Sequence, residues 1–431
     1  MSLSNTASQS SLGEKDTTIP PTPNPELDYP EGGLHGWLAL AGSCLVYFVT
    51  FGIINSFGAF QNFYLESFLS NYSATVIAFI GALQITLLYV FGVVVGPLFD
   101  AIGLKYLYPV GALGGVVSLV ALSFTHPQQI WQQFLSQGVL FGLTVGFGTY
   151  PALAVVGQYF KAKRALAMGT VAAASSIGGV CLPIMVSRLI KNIGFAWTVR
   201  VLALLTLFCY ALAMLISRTR LPKKPLPRAQ NLVDFGGFKD PRYLTLAIGS
   251  ILVNLGLYSP YYYIEPCAIE YGVSPSIHTY LLPMLNGLSF FGRIIGGQLA
   301  DRYGRLNVLC PCTLIAGVLC FALWLPARGA AALIAFSCAY GFFSGVFISV
   351  TPPAVGQISP VDRLGARIGT FFLPTALATL LGTPIGGAFV RNGTSTEYHH
   401  VAIFAGTMVL TGGIMLCIAR VLCDRNFKAK W

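Results

Sequence analysis

Twelve apolar stretches run through the sequence and constrain its fold more than any other feature. Each approaches or exceeds the length of about 20 apolar residues that a helix needs to cross the hydrocarbon core of a bilayer. Only 10% of the residues are charged, against about 25% in soluble domains. The sequence therefore predicts an all-α membrane protein with twelve transmembrane helices. They cover approximately residues 37–62, 75–99, 106–125, 130–157, 165–190, 196–217, 242–264, 279–300, 306–326, 330–357, 366–390 and 401–423.

Lysine and arginine are distributed unevenly between alternate connecting segments. If the N-terminus is cytoplasmic, 20 of the 26 basic residues lie in cytoplasmic segments, and one, Arg293, lies inside a span. This bias follows the positive-inside rule, so we predict that both termini are cytoplasmic. Because the net charge of +11 is dispersed over short loops, no nucleic-acid partner is predicted. Sequons begin at Asn71 and Asn392, in two segments predicted to lie outside, and both are candidate glycosylation sites.

The chain divides into two halves of six apolar stretches each. A basic, proline-rich cytoplasmic loop at 218–241 separates an N-terminal bundle at 37–217 from a C-terminal bundle at 242–423. A tail at 1–36, predicted to be disordered, and a short tail at 424–431 flank them. Short motifs recur between the halves at offsets of 199–201 residues, namely Gly96-x3-Asp100-x2-Gly103-x-Lys105 with Gly297-x3-Asp301-Arg302-x-Gly304-Arg305, Val156-Gly157-Gln158 with Val355-Gly356-Gln357, and Gly169-Thr170 with Gly369-Thr370. Two related six-helix bundles around a central site are typical of rocking transporters.

The segment 297–305 (GQLADRYGR) matches the G-x3-D-R-x-G-R signature of the major facilitator superfamily, and residues 31–425 resemble that family. Within it, the chain is similar to the monocarboxylate-porter group, particularly its fungal members, in 31–37 (EGGLHGW), 55–61 (NSFGAFQ) and 159–169 (YFKAKRALAMG). The resemblance implies alternating-access transport of a small organic acid or other anionic metabolite across the plasma membrane.

The sequence departs from that group at two positions. The resemblance implies that animal proton-coupled members carry a lysine late in the first helix, where this chain has Asn55. They also carry an aspartate four residues before an arginine in the eighth helix, where this chain has Ser289 before Arg293. Lactate–proton symport is therefore not predicted, and the coupling ion stays open.

Arg293 is the leading candidate for substrate binding. It lies eight residues before Asp301, hence about 12 Å from the loop at about 1.5 Å per residue. A guanidinium at that depth must face water or a partner, and no acidic residue lies in the middle of a span. We expect it to grip an anionic group of the substrate, whereas the alternative is a structural bond to helix carbonyls.

Polar residues in the spans complete the predicted substrate site. They are Asn55, Asn254, Tyr258, Asn286 and Ser289, with Gln84 and Tyr150 as further candidates. Such side chains usually point to the bundle interior, although hydrogen bonding between helices is an alternative role for each. The run Tyr258-x2-Tyr261-Tyr262-Tyr263 is expected to form an interfacial aromatic belt.

Five loop residues form the predicted gate. They are Asp301, Arg302 and Arg305 in the second half, with Asp100 and Lys105 in the first. The resemblance implies that such residues form charge pairs and cap a neighbouring helix in one gate state, and a carboxylate is favourable near a helix N-terminus. The alternative is that these charges only set topology.

An enzyme is not predicted, because the sequence has no HExxH, GxSxG or P-loop motif. No cofactor or metal site is predicted either. The first interpretation is import or export of an organic acid. Two alternatives are efflux of a fungal specialised metabolite and a nutrient sensor that binds without transporting. The expected partners are membrane lipid and a small, anionic substrate, and the need for an accessory protein stays open.

Overall fold

A computed structural model describes residues 31–222, 225, 233–360, 364–391, 393–426 and 429–431. These residues form helices connected by short turns, and no strand occurs among them. The helices are α1 Gly33–Phe68, α2 Ala74–Ile102, α3 Leu104–Leu122, α4 Ile130–Gly157, α5 164–193, α6 195–216, α7 Pro241–Glu270, α8 Pro275–Tyr303, α9 Arg305–Trp324, α10 Ala330–Gln357, α11 Leu364–Ala388 and α12 Ser395–Cys423.

Helices α5 and α6 are separated by one glycine. Helical hydrogen bonding runs from Arg164 to Ile216, 53 residues, which is about 80 Å of helix and far more than one membrane crossing requires. Gly194 breaks this run with φ 79° and ψ 168°, a backbone conformation that residues other than glycine rarely adopt.

Apolarity varies among the helices. Among the described residues, ten helices are long and apolar enough to cross a membrane when α5 and α6 are counted as one. Helix α8 is long enough but less apolar, and it carries Arg293. The helical membrane fold predicted from the sequence is therefore confirmed.

Two helix pairs form the main contact between the halves, α2 with α11 and α5 with α8. Glycines permit the close approach: a Cβ on Gly169 would lie 2.7 Å from the backbone oxygen of Arg293, and one on Gly369 would lie 3.1 Å from Cα of Val93. The two glycines and their two contacts are both 200 residues apart. The sequence repeat therefore corresponds to an approximate symmetry of the fold.

The glutamines of the repeated Val-Gly-Gln motif, Gln158 and Gln357, hydrogen-bond to the segment that follows the last helix of each half. The side-chain oxygen of Gln158 accepts hydrogen bonds from the backbone N–H groups of Arg220, at 3.0 Å, and Leu221. The amide nitrogen of Gln357 donates to the backbone oxygen of Lys430 at 3.2 Å. Each glutamine thus holds the chain that leaves the last helix of its own half.

Helices α1 and α7 are interrupted at related positions. Ser56 has φ −86° and ψ 0°, and Tyr258 has φ −88° and ψ −10°, so that neither continues the regular helix. The two positions lie 202 residues apart, close to the repeat offset. Discontinuous helices at matching places in two repeats commonly mark the central site of a transporter.

The two ends of the helix bundle are distinguished below by name. The basic face carries Glu31, the segment 158–163, the segment 301–305 and the last described residues. The sequon face carries Asn71, whose backbone N–H donates to Gln128 at 3.2 Å. Residues 1–30, 223–224, 226–232 and Asn392 lie outside the described part of the chain, so the proposed domain boundaries and the second glycosylation site stay predictions.

Candidate substrate site and gates

Arg293 lies at the contact between the halves, with only 3% of its surface exposed. Its Nη1 donates to the backbone oxygen of Ala172 at 2.6 Å and to Ser175 Oγ, both on α5. Its Nε donates to Ser289 Oγ at 3.3 Å. These partners are neutral, so the guanidinium bonds a helix carbonyl, as the alternative interpretation expected, and its positive charge stays available to an anion.

Tyrosine side chains surround this guanidinium. Tyr47 of α1, Tyr89 of α2 and Tyr258 and Tyr261 of α7 are close enough to interact with it electrostatically. The side chains of Tyr89 and Tyr258 interact with each other across the two halves. The ring centroids of Tyr258 and Tyr261 are 5.9 Å apart. The centre therefore combines one cation with several aromatic side chains and their hydroxyl groups.

The prediction of an interfacial belt on α7 was wrong. Tyr258, Tyr261, Tyr262 and Tyr263 have exposed fractions of 6%, 5%, 6% and 1%. Because α7 continues to Glu270, these tyrosines lie well inside the helix rather than at its end. The hydroxyl of Tyr263 donates to the backbone oxygen of Thr383 at 2.9 Å, and that of Tyr261 pairs with Ser344 at 3.1 Å.

Helix α8 directs three of the predicted side chains toward α5. Asn286, Ser289 and Arg293 recur at the spacing of one helix face, and a Cβ on Gly179 of α5 would lie 2.6 Å from Cγ of Asn286. The side-chain nitrogen of Asn286 donates to Leu282 in its own helix at 3.2 Å, while its side-chain oxygen is buried without a partner among the described residues. Asn286 can therefore accept a further hydrogen bond.

The remaining predicted residues are less closely linked to Arg293. Asn254 is 6% exposed and donates to the backbone oxygen of Ser250 at 2.8 Å, within its own helix. Asn55 lies beside the interruption of α1, and its side-chain nitrogen is buried with no hydrogen-bond partner in the described part of the chain. The same holds for both side-chain amide atoms of Gln84. A buried unpaired polar atom costs about 1–3 kcal/mol, so a polar ligand that reached it would relieve this cost.

Sequence reasoning missed several residues at the centre, above all Tyr47, Tyr89 and Ser175. In an apolar span a tyrosine is not distinguished from one that faces lipid. The one available signal was the repeat, because Tyr89 is 200 residues before Ser289. Tyr150, a candidate from the sequence, interacts electrostatically with Tyr47 and Tyr89.

On the basic face, Asp301 caps the N-terminus of α5. Its carboxylate oxygens accept from the backbone N–H groups of Leu166 at 2.9 Å and Ala165 at 3.3 Å. Arg305 donates to the backbone oxygen of Pro353 on α10 at 2.9 Å. The predicted contact between a carboxylate of one half and a helix N-terminus of the other is therefore present.

The other predicted gate residues are exposed. The guanidinium carbon of Arg302 lies 5.3 Å from the ring centroid of Tyr303. Asp100 and Lys105 lie at the surface between α2 and α3. Residues 361–363, which precede the matching helix α11, lie outside the described part of the chain, so the gate role of the first half stays a prediction.

Glu31 adds a second carboxylate beside the same end of α5. Its oxygens accept from the backbone N–H groups of Lys161 at 2.9 Å, Ala162 at 2.7 Å and Lys163 at 3.4 Å. Desolvation would raise the pKa of this carboxyl, but the three hydrogen bonds outweigh it and the pKa lies below its ordinary value. In the sequence, this segment is distinguished only by the family resemblance of residues 31–37.

The sequon face is also closed. The ring of Phe57 on α1 packs against that of Tyr262 on α7, with centroids 5.7 Å apart. A Cβ on Gly58 would lie 3.2 Å from a methyl carbon of Leu282. Contacts at both ends therefore enclose Arg293, which matches an occluded conformation.

Comparison with known proteins agrees with this fold. The sequence model of the Major Facilitator Superfamily matches residues 38–338 and 287–428. The chain is 36% identical to the MFS transporter asaE of Aspergillus flavus, covering 95% of this chain and 92% of that protein. It is 35% identical to the aspyridones efflux protein apdF of Emericella nidulans, covering 96% and 83%, and 36% identical to the agnestins efflux protein AgnL12 of Paecilomyces divaricatus, covering 89% and 87%.

A solved structure of a point mutant of the nucleoside transporter NupG superposes with a TM-score of 0.66 at 15% identity. The match covers 89% of this chain and 99% of that one. At this identity the likeness concerns the fold alone. With the family match along almost the whole chain, the paired halves and the cap on α5, these findings show that the chain is a membrane transporter of the Major Facilitator Superfamily and not an enzyme.

Proposed function

We propose that this chain exports an anionic organic metabolite by alternating access. Relatives at 35–36% identity along most of the chain include two that are named as efflux proteins for particular metabolites. This supports efflux over our first interpretation, the monocarboxylate porter. The serine at position 289 supports the same choice, because it leaves Arg293 without the carboxylate that the monocarboxylate resemblance implied.

The proposal rests mainly on the hydrogen bonds by which Arg293 joins the two halves. Arg293 of α8 is held by Ala172 and Ser175 of α5. An anionic group that binds the guanidinium would compete with these bonds. Substrate binding would then weaken a contact between the halves, and a ligand that binds two states unequally shifts the equilibrium between them.

The surroundings of Arg293 favour a cargo larger than lactate. Tyr47, Tyr89, Tyr258 and Tyr261 contribute aromatic side chains from both halves. Aromatic faces pack against flat apolar groups, while hydroxyl groups fix orientation. We therefore infer a cargo with an acidic group attached to an apolar or aromatic body.

The orientation belongs to the same proposal. Placing the basic face in the cytoplasm satisfies the positive-inside rule, leaves Asn71 available for glycosylation and makes the plasma membrane a suitable location. Epitopes added at either end of the chain should then become accessible to antibody only after the cells are permeabilised.

Export is tested in a deletion strain complemented with variants, with metabolites in medium and cells compared by mass spectrometry. One charge-assisted hydrogen bond is worth about 1.5–3 kcal/mol, so Arg293→Ala should lower the export rate by about 10–150-fold. Arg293→Lys keeps the positive charge but loses the planar guanidinium, so its export rate should lie between those of the wild type and Arg293→Ala. The matched control is Arg200→Ala, because Arg200 lies on α6 and contacts Ser123 and the ring of Trp197.

Two outcomes would count against the proposal. A correctly inserted Arg293→Ala protein that exports at the wild-type rate would remove Arg293 from the site. Saturable binding of a metabolite without flux in reconstituted vesicles would favour the sensor.

A further inference from the structure

A group of titratable side chains joins the two halves on the sequon face. Oε1 of Glu265 on α7 lies 3.5 Å from Nδ1 of His278 on α8. The side chain of Asn62 on α1 interacts with the Glu265 carboxyl, and Glu66 on α1 faces both Glu265 and His278. The side chains of Glu265 and His278 are only 18% and 16% exposed, and Nδ1 of His278 is buried with no hydrogen-bond partner among the described residues. The term outer cluster denotes these four residues.

The outer cluster lies where the sequon face is closed. Asn62 and Glu66 belong to the first half, whereas Glu265 and His278 belong to the second. Phe57, which packs on Tyr262, precedes Asn62 on α1 by little more than one helical turn. Any change of charge in the cluster therefore acts directly across the contact that must separate when this face opens.

We propose that the outer cluster is a proton-binding site that controls the opening of the sequon face. Glu265 and His278 can hold one proton between a carboxylate and an imidazole. When this proton is bound, the pair carries no net charge and does not repel Glu66 of the other half. When the proton leaves to the solution on that face, Glu66 and Glu265 present like charges to each other and favour separation.

The other helices packed on α7 contribute titratable groups to its opposite side. Cys267 and Glu270 of α7 face Tyr398 of α12, and Tyr271 lies near Arg328 of the turn before α10. These groups all belong to the second half, so their charges do not act across the gate. Facing α7 from α10 and α11 are the neutral groups Tyr340, Ser344 and the backbone oxygen of Thr383.

Only the biological role of the outer cluster rests on the proposed transport function. Proton binding itself can be tested by varying the pH in the absence of any cargo. Spin labels are placed at Ser70 and Ser276, which are exposed on the two halves of this face, after accessible native cysteines are replaced by serine. The distance distribution is recorded in nanodiscs from pH 5 to 8. We expect the separated population to grow with pH, with a ratio that changes by up to about tenfold per pH unit for one linked proton.

Variants separate the cluster from general effects of pH. Glu265→Gln should keep the face closed throughout the pH range, because the repulsion is removed. His278→Gln removes one of the two groups that can hold the proton, so it should change the midpoint of the pH response. Glu270→Gln is the matched control, since Glu270 is exposed near the end of the same helix, and it should behave as wild type.

The result that would overturn the proposal is a wild-type distribution that does not change with pH, or an unchanged pH profile in both Glu265→Gln and His278→Gln. If one variant proves unstable in size-exclusion chromatography, the other decides the question. A wild-type protein that exports its cargo but shows no pH response would reject this site alone. A wild-type protein that shows the pH response but does not export would reject the proposed cargo and leave the site standing.

Discussion

Replacement of Asp301 by asparagine measures how strongly the basic face is held closed. The carboxylate accepts two backbone hydrogen bonds, at 2.9 and 3.3 Å, from the first turn of α5. Hydrogen bonds to a charged group contribute about 1.5–3 kcal/mol, against about 0.5–1.5 kcal/mol for neutral ones. The amide of asparagine retains one oxygen and loses the charge.

The magnitude follows from these bonds. Asp301 is partly exposed, so solvent compensates for some of the loss, and we expect Asp301→Asn to weaken the closed state by about 1–2 kcal/mol. That energy corresponds to a change of about 5–30-fold in the ratio of closed to open molecules.

The ratio can be measured from distances between spin labels at Lys163 and Tyr303, which are exposed on opposite sides of this contact. Glu270→Gln, a carboxylate replacement on the opposite face, controls for loss of one negative charge. A ratio within twofold of wild type in Asp301→Asn would refute the view that this cap holds the gate.

Two further predictions concern the same helix, α5. Gly169→Ala places a Cβ 2.7 Å from the backbone oxygen of Arg293, so it should lower the free energy of unfolding by about 1–3 kcal/mol. In the control Gly287→Ala, the Cβ meets only a methyl carbon at 3.8 Å, and stability should be unchanged or higher. Equal melting temperatures of the two variants would contradict this prediction. Because the pKa of Glu31 is below its ordinary value of 4.5, its stabilising effect should be complete above pH 4.5 and disappear as pH falls through the lower folded pKa. The difference in melting temperature between wild type and Glu31→Gln should therefore shrink on acidification, and a constant difference would contradict the assignment.

The fold could be predicted from the sequence because membrane solvation imposes a simple rule on length and apolarity. The repeat was visible for a similar reason: Gly169 and Gly369 are kept small by matching backbone contacts. Local geometry was harder to predict. The break at Gly194 and the interruptions at Ser56 and Tyr258 depend on backbone torsions, and these residues leave no distinctive pattern in an apolar segment.

The candidate site was predicted mainly around its charge and the polar residues of α7 and α8. Arg293 stood out because a cation is costly inside a membrane, and its neighbour Ser289 followed from the resemblance. Tyr47, Tyr89 and Tyr261 were not predicted for the site, because a tyrosine suits both a lipid boundary and a buried centre. Partners from other helices, such as Ser175 and the carbonyl of Ala172, depend on how the two halves meet.

The interruptions of α1 and α7 divide each of these helices into a longer first portion and a shorter second portion. Beyond Ser56 and Tyr258, the terminal portions carry the aromatic contact between Phe57 and Tyr262 and the carboxyl of Glu265. A portion joined in this way can swing while the rest of its helix keeps its packing. The sequon face can thus open locally before either half rotates as a rigid body. Exchange of a proton at this face is then a separate step from the larger movement that transports the cargo.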